Sequence, residues 1–472
     1  MEGTGMLSGT PARQEGQKLW QYLAAFSACI LSVGVGTALA WTSPVMFSLK
    51  SADSFLPVSE EQSSWISSLL AIGSMLGALP AGMFANAVGR KRSLLALAVP
   101  FLLSWAVIFA ASAVWMLYAA RLTVGVAVGA ACVLVPTYLS EIAEASIRGT
   151  LGAMFQLFLT VGIVYTFSLG AQLAYHPLAV ACALVVVAFA ASFAFMPESP
   201  VWLMSQGKKH EASVVLRRLR GSGYDVSAEL GELQRDCEEG AGERSSVFDL
   251  VRYPAPRKAL FICFAGMVFQ QLSGINAVIF YTKDIFEASN SSMSPDLAAI
   301  CVALVQCSMA VVAAVIVDKA GRKPLLMFSS ALMGLSLTTL GLFFKLQEAE
   351  SDTSNLGWLP LASLVLFMIA FSIGMGPIPW MLMGEMFTAE LKGSASSLAV
   401  TLNWFLVFLV TKTYPTLKDV FHASGAFWIF AVVMYLATAF ILFVVPETKG
   451  KSIQEVQDLL LGRKKNKSGS SA

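Results

Sequence analysis

Charge is the scarcest commodity in this chain of 472 residues. Asp, Glu, Lys and Arg supply 13% of it, against about 25% in an ordinary soluble domain, while 56% of the residues are hydrophobic and mean hydropathy is +0.68. A net charge of +2 offers no basic groove for nucleic acid. The three histidines stand apart. The seven cysteines (Cys29, Cys132, Cys182, Cys237, Cys263, Cys301 and Cys307) form no CxxC pair, so neither a metal site nor a disulfide framework is indicated. No nucleophile–base pair or cofactor motif is visible, which argues against an enzyme and against a cofactor. A cleavable leader is not expected either, because the first apolar run, from Trp20, is long enough to span a membrane and stay there.

What the chain has instead is long apolar runs. Twelve reach the ~20 residues that a bilayer core demands, at about 20–42, 63–85, 94–113, 115–138, 151–172, 177–196, 259–281, 297–317, 325–345, 359–382, 395–414 and 424–445. The expected organisation is a tail (1–19), a six-helix half (20–200), a polar linker (201–258), a second six-helix half (259–450) and a final tail (451–472). Short surface helices are expected in the linker over Ala212–Leu219 and Val226–Asp236. Arg90, Lys91 and Arg92, then Lys319, Arg322 and Lys323, then the GRKKNK tail all fall on the side of the termini, which predicts cytoplasmic termini. The opposite loops carry few bases (Lys50, Lys283, Lys345, Lys418) and the glycosylation sequon at Asn290.

The halves repeat one another. GRKR at 89–92 is matched by GRK at 321–323, SEIAEASIRG at 140–149 by GEMFTAELKG at 384–393, and PESP at 197–200 by PETKG at 446–450. In the middle pair a glutamate precedes a base by seven residues, Glu141 with Arg148 and Glu385 with Lys392. Three motifs in one order at corresponding span ends describe a duplicated six-helix unit, the build of an alternating-access transporter.

One polar stretch interrupts the apolar spans: QQLSGINAVIFYT, Gln270 to Thr282. An unpartnered amide in hydrocarbon costs several kcal/mol, so Gln270, Gln271 and Asn276 must face protein, water or a polar ligand. Amides both donate and accept, which suits an uncharged, hydroxyl-rich ligand such as a sugar. Interhelical hydrogen bonding is the other use of such residues, and for Gln306 and Asn403 both uses stay open. Arg121, a base opening the fourth span, has no partner legible in the sequence.

These motifs resemble the sugar porter branch of the major facilitator superfamily over about 20–455. The resemblance implies an all-α membrane protein with twelve transmembrane helices in two pseudo-symmetric halves. It implies sugar contacts from Gln156, Gln270, Gln271, Asn276, Gln306, Trp380 in GPIPW, and Asn403, with Phe371 and Trp404 near the cavity. It also implies a charge network of Arg90, Glu141, Arg148, Arg322, Glu385 and Lys392 that locks the halves on the side of the termini. Within that branch, GTALAWTSPV at 36–45, SSWISSLLAIGSMLGAL at 63–79 and YLSEIAEASIRG at 138–149 resemble insect facilitated trehalose transporters. The implied activity is uniport of trehalose across the plasma membrane, with hexose or polyol transport as the alternative. The implied partners are the sugar and the lipid bilayer, with no obligate protein partner. Two departures bear on this. Ser372 and Val407 stand where many hexose facilitators carry a glutamate and an asparagine. The first span also lacks the aspartate of proton-coupled relatives, which favours facilitated diffusion over symport.

Overall fold

Helix accounts for nearly all of the backbone in the computed structural model, which describes residues 16–461 except 52–53, 145, 222, 241–248, 290–292, 388 and 452. Among the described residues, eleven segments are long and apolar enough to cross a membrane: Leu19–Leu49, Glu60–Val88, Arg90–Phe109, Val114–Ile142, Arg148–Gly170, Tyr175–Phe193, Pro254–Phe280, Pro295–Val317, Arg322–Glu348, Leu359–Met386 and Ala395–Val444. The last has 50 residues, roughly 75 Å if straight, more than twice the ~30 Å hydrocarbon thickness. Its backbone breaks at His422 (φ 60°, ψ 174°), so it counts as the eleventh and twelfth spans. Several helices outrun their apolar runs. The second begins at Glu60, where Ser59 accepts the Gln62 N–H and the Gln62 side chain returns the bond. The linker helices, Lys209–Arg220 and Ser227–Gly240, are likewise longer than their hydrophobic spacing predicts.

Each half builds its own core. Residues of the first six spans form one continuous apolar cluster and residues of the last six another, although Trp404 and Val407 of the eleventh span are buried in the first. Small residues set the helix spacing. A Cβ on Gly36 would lie 2.1 Å from the Leu159 carbonyl of the fifth span, and one on Gly73 would lie 2.2 Å from the Leu122 carbonyl of the fourth. In lipid, where apolar surface alone does not drive helices together, such backbone approach is a main source of packing energy.

The sequence repeat has a structural cause. The carboxylate of Glu198, in PESP, accepts the N–H groups of Lys91 (2.8 Å) and Ser199 (2.9 Å). Its counterpart Glu447, in PETKG, accepts those of Arg322 (3.0 Å), Lys323 (3.1 Å) and Lys449 (2.8 Å). Each acid thus caps the orphan donors at the start of the span that follows a GRK motif. Burial alone would raise the Glu447 pKa, but the surrounding backbone N–H donors outweigh it and hold the carboxyl below its usual range. A lowered carboxylate pKa contributes stability that is present above the ordinary carboxylate value and lost as pH falls through the lowered one. Glu447→Gln is therefore expected to cost about 1 kcal/mol at neutral pH, with the gap to the parent closing in acid. Thermal melts in detergent at several pH values measure this, and equal midpoints at neutral pH would refute the cap.

Candidate functional site

Two spans of the second half are broken at the same depth. The seventh runs as helix over Pro254–Gln271, pauses, and resumes over Ile275–Phe280. The pause is possible because Gly274 adopts φ +83°, and a side chain there would also collide with the Phe430 ring of the twelfth span at 2.6 Å. The tenth runs over Leu359–Ile373 and again over Ile378–Met386. Pro377 and Pro379 lack N–H donors, so the helix cannot run through this point unbroken. The amide stretch that the sequence suggested as part of one continuous helix is thus itself a helix break.

The amides meet at these breaks. The Gln270 side chain, 3% exposed, donates to the carbonyls of Met375 and Gly376, both at 2.7 Å. Its oxygen accepts from Asn403 of the eleventh span at 3.2 Å and from Gln271 at 3.4 Å. Asn276 in turn donates to the Gln271 oxygen. Four amides therefore form one hydrogen-bonded chain tying the seventh, tenth and eleventh spans together. The assignment of each amide's N and O follows from this network.

The other residues singled out in the sequence are spread around it. Trp380, on the second piece of the tenth span, is 38% exposed, and Gln156 of the fifth span is also exposed. Gln306 is buried and makes no hydrogen bond among the described residues. It shares a face of the eighth span with Ala299 and Ala303, which pack on Ile163 and Phe167 of the fifth. Arg121 is fully buried, donates to the carbonyls of Ala38 (2.7 Å) and Ile66 (3.1 Å) and lies over the Trp41 ring, with no acid beside it among the described residues.

On the side of the termini, ion pairs stay within each half. Arg90 grips Glu141 through Nε and Nη2 at 2.9–3.1 Å. Arg322 holds Glu385 at 2.9 Å, and Thr448 donates to the same carboxylate. Arg148 is exposed and makes no ion pair with a described residue. The Lys392 side chain and Asn290 lie outside the described residues. The Arg90–Glu141 and Arg322–Glu385 pairs each join two spans of one half.

The opposite side is closed by a charged seam that the sequence did not reveal. Lys50, in the loop after the first span, lies 3.3 Å from Asp284 in the second half and 3.0 Å from Glu60. The backbone N–H of Lys283 donates to Ser43 at 3.1 Å, while its ammonium caps the Phe47 ring and pairs with Asp296 at 2.6 Å. Lys412 donates to Ser64 at 2.8 Å and stacks over Trp65. Burial raises the Asp284 pKa, opposed by Lys50 and Lys418 and reinforced by Glu60. The only hint in sequence was a pair of charges, Lys283-Asp284, directly after an apolar run. The protein is thus closed between the halves at the loop end, with Trp380 and Gln156 left accessible.

Comparison with known proteins follows the same lines. The model of the family described as "Sugar (and other) transporter" matches residues 23–460. The facilitated trehalose transporter Tret1 of Polypedilum vanderplanki is 38% identical over 446 residues, covering 94% of this chain and 88% of that protein. Tret1 of Bombyx mori is 36% identical over 452 residues, covering 95% and 89%. Tret1 of Drosophila virilis is 38% identical over 451 residues, and there the chain spans about half, 49%, of the relative's length. Among solved structures, the proton:xylose symporter XylE bound to 6-bromo-6-deoxy-D-glucose superposes with TM-score 0.75 at 26% identity, covering 94% of this chain and 99% of that one. A partially occluded inward-open form of the E. coli xylose transporter XylE gives 0.77 at 26% identity, covering 92% and 100%.

Proposed function

The chain belongs to the sugar transporter family, and from that premise we propose that it is a facilitative carrier moving trehalose across the plasma membrane by alternating access. The observation that carries the reading is the four-amide chain at the paired breaks of the seventh and tenth spans, with an exposed indole, Trp380, on the second piece of the broken tenth helix. Amides match sugar hydroxyls as donors and acceptors, and an indole face suits the C–H face of a pyranose ring. Gln156 and Gln306 add amides from the fifth and eighth spans, which line one seam between the halves. Trehalose is the named substrate of the relatives that are 36–38% identical.

Both termini lie in the cytoplasm on this reading, so the closed seam is external and the accessible side internal. Sugar leaves toward the termini in this state, and reset requires the Lys50–Asp284 seam to part. When the opposite side closes, Arg148 and Lys392 join the Arg90–Glu141 and Arg322–Glu385 pairs across the interface. Ion pairs gained in one state and lost in the other bias such an equilibrium without blocking it. Asn290 is the glycosylation site on the external loop. The interior of the spans carries no carboxylate to couple a proton.

The test is uptake of labelled trehalose and labelled glucose by cells expressing the chain, at pH 5.5 and 7.5. Saturable trehalose uptake, insensitive to a proton gradient, is expected. Uptake of glucose alone would move the substrate to a hexose, and dependence on a proton gradient would overturn uniport.

A further inference from the structure

Breaking a helix inside a membrane frees backbone groups that water cannot reach, and each needs a partner from the protein. The break in the tenth span can be followed group by group. The Gly376 N–H turns back to the Phe371 carbonyl at 2.7 Å, and the Ile378 N–H to Gly374 at 3.1 Å. The carbonyls of Met375 and Gly376 take the Gln270 amide. Among the other groups at the break, one side chain meets both the Ala370 carbonyl and the Met375 N–H. The wholly buried hydroxyl of Ser329, on the ninth span, donates to Ala370 at 2.7 Å and accepts from Met375 at 3.0 Å. A hydroxyl is at once donor and acceptor, so a single Ser can link a carbonyl to an N–H five residues on, across the break. Gly374 makes the approach possible: a Cβ there would lie 2.5 Å from the Ser329 Cβ and 2.7 Å from the Leu325 carbonyl.

We propose that Ser329 is a positioning residue for sugar translocation. It splints the break and so sets the angle at which the second piece of the tenth span, carrying Trp380, meets Gln270. The inference rests on the carrier reading above and adds to it a residue that touches no sugar. Ser329 acts through the Ala370 carbonyl and the Met375 N–H, and Gln270 holds the Met375 and Gly376 carbonyls, so the two side chains together define the bend.

The experiment pairs two readouts on the full-length protein. The first is hydrogen–deuterium exchange of the purified protein, which needs no substrate. The second is KM and turnover for trehalose uptake, normalised to the amount of protein in the membrane. Ser329→Ala is expected to speed exchange at residues 374–378 and to raise KM about ten-fold with a smaller change in turnover. Ser329→Thr, which keeps the hydroxyl, should restore both. If Ser329→Ala fails to accumulate, Ser329→Cys, close in volume but a weak hydrogen-bonding group, replaces it with the same expected direction. A purely structural role would lower abundance and leave KM per molecule unchanged. Wild-type KM in the Ala or Cys variant, or unchanged exchange at the break, would overturn the proposal. Failure of the parent itself to move trehalose would count against the carrier reading alone. The exchange result would stand apart from it, and KM would then be measured with whichever sugar the parent transports.

Discussion

Gln270→Ala is expected to lower sugar uptake per molecule by about a hundred-fold or more. The side chain has two tasks on the site described above. It offers an amide to the ligand, and among the described residues it supplies the only side-chain donor on the carbonyls of Met375 and Gly376. Removing it leaves the buried Met375 carbonyl and the part-buried Gly376 carbonyl without this donor and the Asn403 amide with only the Met267 sulfur, and each unsatisfied buried group costs about 1–3 kcal/mol. Even two such losses correspond to a factor of roughly thirty to about twenty thousand. Gln270→Glu separates the tasks. A carboxylate cannot donate to the two carbonyls, so it should fail as badly as Ala despite its near-identical shape. The check is labelled-sugar uptake with surface abundance measured in parallel. Retention of more than a third of parental uptake in both variants would remove Gln270 from the centre of the site.

Reversing one charge in the Lys50–Asp284 seam should have the second largest effect. Lys50 lies between Asp284 and Glu60 at 3.3 and 3.0 Å, so Lys50→Glu would bring three carboxylates together where the halves close. Like charges at a closing interface cost several kcal/mol, and uptake is expected to fall at least about ten-fold as the closed state is depopulated. Adding Asp284→Lys re-creates an opposite pair in the reverse order and should recover most of the loss. A general folding defect would not be rescued by a second charge change, so equal activity of the single and double variants would refute the seam. The same carboxyl has a pH signature. Burial raises its pKa in the closed state, against the pull of Lys50 and Lys418 and with Glu60, Tyr281 and Tyr414 nearby. The closed state therefore binds the proton more readily than the open one. Closure is favoured as pH falls, and that contribution is lost as pH rises through the raised value. The window lies between the ordinary carboxylate value and the raised one, on the acid side. Asp284→Asn should abolish the dependence.

The repeated motifs show how much a sequence can reveal when local pattern and structure share a cause. GRK, the glutamate seven residues before a base, and PES or PET recur because each half caps the same helix start with the same acid and grips the same glutamate with the same arginine. Asn and Gln in an apolar span were equally legible, since hydrocarbon tolerates an amide only beside a partner. What those amides bind was not. Gln270 reaches Met375 and Gly376 across more than a hundred residues, and no periodicity encodes that distance. Arg148 illustrates the converse. Its spacing from Glu141 singled it out, yet it is exposed in this state while Glu141 is held by Arg90.

Composition and pattern by themselves determined that this chain must live in a bilayer, cross it twelve times and do so as two copies of one six-helix unit. Those properties are sums over neighbouring residues: hydrocarbon thickness sets span length, the cost of charge sets where the spans stop, and a duplicated motif keeps its order. The prolines and glycines of GMGPIP already mark the break in the tenth helix, but tertiary structure alone decided where the seventh breaks, and that Ser329 and Gln270 close the gaps. It alone decided that Lys50 finds Asp284, 234 residues away, at the mouth. A hydrogen bond or ion pair forms over about 3 Å, and only the folded chain brings such distant groups within that reach.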